Sequence, residues 1–214
     1  MNYEPTEWQG ENEPTPSPQK MASKNPASAL FDIVEMFAWS LFVVFLLFTF
    51  AFRLCRVDGA SMENTLFNGE NLLLYSANYT PKQDDIVVFH LTRHDVGLEK
   101  TLVKRIIATG GQKLKIDFNT GTILVDGVKY EDTHAVLKDY FGNTIDTYNT
   151  AIMEHSYDAQ TKTLSLTVPN GCVFVMGDNR NHSKDSRDTD IAFVDERCIL
   201  GKVVLRLSPF TIFS

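Results

Sequence analysis

The chain lacks several features that common functions require. Its 214 residues include only three cysteines, Cys55, Cys172 and Cys198, and no Cys-x-x-Cys pair. A zinc site of the usual spacing is therefore not expected, and the thiols read as free or core residues. Spacing alone does not decide for or against a Cys172–Cys198 disulfide. No block of Lys or Arg stands out, and the net charge is -7. That argues against nucleic acid as a partner, because phosphate backbones are held by clustered cations. No internal repeat occurs, and the chain after the first apolar run has little helical periodicity. His90 and His94 are close, but no third ligand accompanies them, so no metal centre is expected.

What is present is strongly segregated. Residues 1–29 carry Pro5, Pro14, Pro16, Pro18 and Pro26 in a mostly polar context, too poor in apolar side chains to build a core, and read as a disordered tail. From Met36 to Phe52 the chain then runs without a charge. Residues 30–53 are long enough to cross a ~30 Å hydrocarbon layer as one helix. Asp32 and Glu35 at its start and Arg53 and Arg56 at its end suit headgroup depth. A buried core helix would need apolar partners on every face, which the rest of the chain does not supply. A cleaved signal peptide fits poorly, since the run starts far from Met1 and no small-x-small site follows. Lys20 and Lys24 before the helix balance Arg53 and Arg56 after it, so charge alone does not orient the span.

Residues 54–214 read as β structure. NLLLY (71–75), DIVVFHL (85–91), TLVKRIIA (101–108), KLKIDF (113–118), TILV (122–125), TLSLTV (163–168), CVFVM (172–176) and RCILGKVVLRL (197–207) are short runs rich in Val, Ile and Leu. Asp126-Gly127 predicts a two-residue hairpin, and Pro169-Asn170-Gly171 a turn. The expected class is mostly β, barrel-like or sheet-based, with an irregular insertion over about 133–160.

Three stretches carry candidate chemistry. Ser61 follows two small residues, Gly59 and Ala60, which leave its hydroxyl open to an extended peptide. Serine is a weak nucleophile until a base takes its proton. Lys104 lies within the apolar run Leu102-Val103-Lys104-Arg105-Ile106-Ile107, sharing a face with Leu102 and Ile106 while Arg105 points the other way. If the Lys104 face is buried, desolvation lowers the amine's pKa and makes it a base; if the strand is an edge, Lys104 reaches water. The third stretch, Gly177 to Asp188, follows the apolar strand CVFVM with a high density of donors and acceptors. It does not fit an EF-hand calcium loop, which wants Gly where Ser183 stands and a terminal Glu.

Together these stretches resemble the bacterial type I signal peptidases, membrane-bound Ser/Lys endopeptidases. The elements occur in the family's order: a membrane helix, Gly59-Ala60-Ser61-Met62 leading to Thr65-Leu66, Asp85-Ile86-Val87-Val88-Phe89, Lys104-Arg105-Ile106-Ile107, Gly177-Asp178-Asn179-Arg180 through Ser183, Asp185, Ser186 and Arg187, and Gly201-Lys202-Val203. The single anchor and Gly59 resemble the Gram-positive branch. The resemblance implies Ser61 as nucleophile, Lys104 as general base, Ser183 orienting the lysine amine, and Asp185 and Arg187 holding the loop. It implies the Ser61 N–H as part of an oxyanion hole, no metal or nucleotide cofactor, and substrate contacts from Val57, Gly59, Met62, Leu66, Leu102 and Val103. Its implied partners are preproteins cut after Ala-x-Ala-like signals, the lipid bilayer and the secretion translocon. The implied orientation has the tail cytoplasmic and the catalytic domain outside the membrane.

Departures from the family pattern are equally specific. Asn64 stands where proline is common, Asp84 where glycine is frequent, and Ala108-Thr109-Gly110-Gly111-Gln112 where Gly-x-Pro-Gly-Asp is usual. Gly59 supplies no side-chain donor where some members place a hydroxyl. A non-catalytic, peptide-binding relative assisting surface-fibre assembly is the main alternative; loss of the serine or lysine would mark it, and both are present. A self-cleaving Ser/Lys repressor would carry a DNA-binding domain where this chain has its tail and apolar run.

Overall fold

The computed structural model describes residues 26–93, 97–135 and 156–213. Most of the expected tail, His94 and the middle of the expected insertion lie outside the described residues. The first element is a helix, α1, over Pro26–Ala51. Its span Ala27–Ala51 is long and apolar enough to cross a membrane, and none of it is buried. At 1.5 Å per residue such a helix covers about 38 Å, more than a hydrocarbon layer needs. It ends slightly earlier than the sequence implies, because Phe52–Arg56 already forms strand β1. The Ser76 backbone N–H donates to the Ala51 carbonyl at 2.9 Å, one of the helix-end acceptors that would otherwise lack a partner.

Among the described residues thirteen strands follow the helix, as β2 Asn71–Tyr75, β3 Ile86–Arg93, β4 Leu98–Thr109, β5 Lys113–Asp117, β6 Thr122–Val125, β7 Val128–Lys129, β8 Tyr157–Asp158, β9 Thr163–Thr167, β10 Cys172–Met176, β11 Val194–Asp195, β12 Ile199–Leu207 and β13 Phe210–Ile212, after β1. They make two antiparallel sheets rather than a closed barrel. The larger has the order β1-β2-β12-β3-β4-β10-β11, with β13 on β12; the smaller has β7-β6-β5-β9-β8. The smaller sheet shows the alternation written in KLKID and TILV: Leu114, Ile116, Ile123 and Val125 are buried, whereas Lys113 and Lys115 are exposed. The Asp126-Gly127 loop joins β6 to β7 with positive φ at both residues (52° and 81°), the combination a two-residue hairpin of primed type requires.

The larger sheet positions the site. Ile86, Val87, Val88 and Phe89 of β3 are all buried, so this strand is covered on both faces. Its neighbour β4 pairs through Leu98–Arg105 with the whole of β3, Val87 opposite Lys104 and Phe89 opposite Leu102. On its other flank β4 pairs with β10 only from Arg105 onward, Met176 opposite Arg105. The Leu102–Lys104 flank is therefore left without a strand partner among the described residues. Strand β1 forms an end of the same sheet, so it too keeps a free edge among the described residues.

Candidate active site

Lys104 and Arg105 are adjacent on one strand and both are buried, at 2% and 4% exposure. Neither face of β4 is a solvent face here, so the choice between a buried Lys104 and one reaching water resolves to burial. Lys104 Nζ lies 2.7 Å from Ser61 Oγ and 2.9 Å from the Val103 carbonyl oxygen. Burial is the main influence on the amine and lowers its pKa from 10.5 to about 8, against a smaller opposing pull from Asp185 and a further lowering by Arg187. An amine with that pKa is neutral in a useful fraction at mildly alkaline pH and has a lone pair to accept a proton.

Ser61 sits in a tight turn. Thr65 N–H and Leu66 N–H both donate to the Met62 carbonyl, at 3.0 and 2.8 Å. Asn64 within this turn has φ 80°, a conformation asparagine tolerates and proline cannot adopt, which gives the departure from proline a physical reason. Asp84 likewise takes φ 73°, keeping the left-handed geometry that glycine would provide at that position. Gln112 closes its turn with its side chain, Oε1 accepting from the Thr109 N–H at 2.8 Å. Asn64 thus takes a backbone shape closed to proline, whereas Asp84 and Gln112 fit their turns by a left-handed φ and by a side-chain bond.

The Gly177–Asp188 stretch wraps around the serine turn. Asn179 N–H donates to the Ser61 carbonyl at 3.1 Å, and Asn179 Nδ2 donates to the Ala60 carbonyl at 3.1 Å. Gly177 is confined: a Cβ there would overlap Ser183 Oγ and the Ser61 carbonyl oxygen. Gly177 N–H donates to Asp185 Oδ2 at 2.9 Å, Asp185 pairs with Arg187 at 2.6 Å, and Arg187 Nη2 donates to the Arg180 carbonyl at 2.7 Å. Burial pushes the Asp185 carboxyl up, but the Arg187 guanidinium and the Gly177 N–H more than offset this and hold it below the usual carboxylate range. Asp185 and Arg187 are therefore a paired buried brace within the loop.

The structure does not bring every expected residue to the amine or to the cleft. Ser183 Oγ is buried beside Gly177 and faces the Asp185 carboxylate, and the hydrogen bonds of Lys104 Nζ go to Ser61 and Val103 instead. Met62 and Leu66, expected to wall a substrate pocket, are core residues at 1% and 0% exposure, packed under the serine turn with Leu72, Leu74 and Val203. The cavity that opens beside Ser61 measures about 230 Å³ and is lined by Val57, Leu102, Val103 and Lys104 together with Leu72 and Val88. Cys55, Arg56, Asp58 and Thr101 complete its lining. Gly59 lies outside that lining; its N–H is held by Asn68 Oδ1 at 3.1 Å. The Ser61 N–H makes no hydrogen bond among the described residues, so it remains available to a ligand oxygen.

Residues whose function the sequence left unassigned hold the back of the site. Arg105 clasps Asp178 with two bonds, Nε to Oδ1 at 2.9 Å and Nη2 to Oδ2 at 2.8 Å, and donates to the Asp84 carbonyl from Nη1. Thr65 Oγ1 donates to the same Asp178 Oδ2 at 2.5 Å, which ties the serine turn to the arginine. Both residues belong to motifs visible in the chain, but strand alternation says only that Arg105 and Lys104 point to opposite faces. It does not say that both faces are covered.

A serine hydroxyl on a desolvated amine, beside an open strand edge, can act as a nucleophile with its base, and the chain also carries a helix apolar enough to cross a membrane. Comparison with known proteins gives the family. The model of the family described as signal peptidase, peptidase S26, matches residues 30–208. The chain belongs to that family. Signal peptidase IB of Staphylococcus aureus (strain Mu50 / ATCC 700699) is 29% identical over 190 residues, covering 86% of this chain and 93% of that protein. The probable signal peptidase I-1 of Synechocystis sp. is 28% identical over 206 residues, covering 93% and 89%. A crystal structure of a signal peptidase I from Enterococcus faecalis V583 superposes with a TM-score of 0.37 at 25% identity, over 58% of this chain and 97% of that one.

Proposed function

We propose that this chain is a signal peptidase I that cuts signal peptides from exported preproteins with Ser61 as nucleophile and Lys104 as general base. The observation that carries the reading is the 2.7 Å contact between Ser61 Oγ and a lysine amine buried away from water. Neutral Lys104 takes the Ser61 proton while Oγ forms a bond to the scissile carbonyl carbon. The Ser61 N–H donates to the oxygen that becomes negative. The resulting ammonium returns its proton to the leaving amine as the C–N bond breaks, and an ester to Ser61 remains. The same amine then takes a proton from water, hydroxide attacks the ester, and Ser61 regains its hydrogen.

Substrate geometry follows from the two free edges. An extended peptide between β1 and the Leu102–Lys104 flank of β4 gains main-chain hydrogen bonds on entering, and alternate side chains point into the cavity. Val57, Leu102 and Val103 offer that cavity aliphatic walls, which suits small residues such as those of an Ala-x-Ala signal. The bilayer is a second proposed partner. Strand β1 follows the apolar helix without a linker, and Leu54 shares a register row with Leu73, Leu205 and Ile212 on one face of the sheet. Leu54, Ile212 and the neighbouring Phe210 are exposed there, an apolar cluster suited to contact with lipid. The proposed orientation has the catalytic unit outside the cytoplasm, where signal peptides emerge; the translocon is the proposed source of substrate. Protease protection of the carboxyl-terminal unit in intact cells would contradict this orientation.

The deciding experiment mixes detergent-solubilised protein with a preprotein whose signal ends in Ala-x-Ala and reads product mass. Cleavage after the last Ala by the wild type, and none by Ser61→Ala or Lys104→Ala, is the expected result. Binding without cleavage by the wild type would favour a non-catalytic peptide-binding protein instead.

A further inference from the structure

Behind the serine turn lies a buried ion pair that the chemistry above does not use. After β7 the chain continues through Tyr130, which is buried, to Asp132. The Asp132 carboxylate meets Arg180 Nη2, with the two side chains 9% and 1% exposed. No further group hydrogen-bonds to either Asp132 oxygen among the described residues. Arg180 in turn donates from Nε to the Gly177 carbonyl at 3.0 Å, and its own carbonyl receives Arg187 Nη2 at 2.7 Å. Gly177 is the residue wedged between Ser183 Oγ and the Ser61 carbonyl, and Asn179, next to Arg180, holds the Ala60 and Ser61 carbonyls. A continuous set of contacts therefore runs from the arm after β7, through one guanidinium, to the backbone that carries the nucleophile.

We infer that Asp132 is a positioning residue for Ser61, acting through Arg180 on the Gly177–Asn179 backbone. The inference rests on the Ser61/Lys104 reading for its effect on rate, but not for its effect on the loop. Arg180 is buried, so its charge needs a counter-ion in place. Asp178, the nearest acid in sequence, is already clasped by Arg105, which leaves Asp132 as the ion-pair partner of Arg180 among the described residues. Without the carboxylate the guanidinium has reason to move toward water, and the Gly177 carbonyl it holds moves with it. Burial raises the Asp132 pKa above the ordinary carboxylate value, and Arg180 offsets that rise only in part. The same arm reaches the rear of the site a second time, since Tyr130 Oη donates to Asp84, whose carbonyl receives Arg105.

The test compares Asp132→Asn, Asp132→Glu, Arg180→Met and the Asp132→Asn/Arg180→Met double variant in the full chain in detergent. One readout is cleavage of the Ala-x-Ala preprotein. A displacement of about 1 Å at the nucleophile typically costs about 10²-fold in rate. Asp132→Asn is expected to lower kcat by about that factor with KM within about 2-fold, Asp132→Glu to recover most of it, and the double variant to be no slower than Arg180→Met. The second readout is hydrogen exchange of the peptide covering residues 177–187, in the wild type and in a Ser61→Ala background, which needs no catalysis. Faster exchange there in Asp132→Asn, with the five-stranded sheet unchanged, supports the inference. Unchanged exchange at residues 177–187 overturns it whatever the activity, and so does an unchanged kcat where the wild type cleaves. Loss of cleavage control by Ser61→Ala would instead strike the dyad. If Asp132→Asn fails to fold, the double variant, which no longer buries a lone charge, and Asp132→Glu carry the comparison.

Discussion

Two cations one residue apart on β4 meet opposite treatment. Arg105 is clasped by a carboxylate in a two-pronged pair, and although burial works against its charge, Asp178 holds its pKa above the ordinary value. Lys104 faces the other side, receives a hydroxyl and a carbonyl instead of a carboxylate, and burial lowers its pKa to about 8. The same depth of burial therefore leaves one charge fixed and makes the other easier to lose. The difference lies in the partner supplied, and it separates a group that braces the fold from one able to move a proton.

The largest way to break the comparison is to make both cations permanent. Lys104→Arg is expected to lower cleavage by about 10²–10⁴-fold, the factor general-base catalysis supplies, since arginine does not deprotonate. Lys104→Met is expected to be equally inactive and more stable. Lowering a lysine from 10.5 to about 8 corresponds to about 3 kcal/mol against the charged form in the fold. The unfolded chain binds more protons than the folded one between those two values. Wild-type stability should therefore rise with pH from about 8 to 10.5, and denaturant titrations of Lys104→Met should lack that rise.

Arg105→Met comes next. It strands Asp178 at zero exposure, and removing one partner of such a pair typically costs about 3–5 kcal/mol. A urea midpoint within error of the wild type would show that the brace is dispensable. Gly177→Ala, whose Cβ has no room between Ser183 and Ser61, is expected to lower kcat by about 10²-fold through displacement of the serine turn. Below pH 8, kcat of the wild type is expected to fall about tenfold per pH unit, because the neutral fraction of Lys104 falls by that factor. The smallest effect is assigned to Thr65→Val, which removes a donor from Asp178. About 1–2 kcal/mol of stability is expected to go, with the low-pH limb of kcat unmoved.

The legible parts of the molecule were those with strong periodicity or a strong mismatch. The apolar run announced α1, alternation in KLKID and TILV announced the smaller sheet, and Asp126-Gly127 announced its hairpin. Lys104 stood out because a charge interrupts an apolar strand. Strand β1 was hidden because Phe52–Arg56 reads as the tail of the apolar run, and its strand identity comes from pairing with β2. Met62 and Leu66 were hidden in the opposite sense: they adjoin Ser61 in sequence, but the turn directs them into the core. The pairs Arg105–Asp178 and Arg180–Asp132 join residues 73 and 48 positions apart in the chain, so no local pattern could announce them.

The central claim is that burial lowers the Lys104 pKa to about 8, so that a useful fraction of the amine is neutral at mildly alkaline pH, and competitive acylation of the Ser61→Ala protein measures this directly. Trace acetic anhydride labels each lysine in proportion to its neutral fraction, and peptide masses across a pH series give the midpoint for Lys104 alone. A midpoint near 8 is the predicted result. A midpoint near the ordinary lysine value of 10.5 would mean that the buried amine stays charged, and the proton-accepting role assigned to it would be wrong.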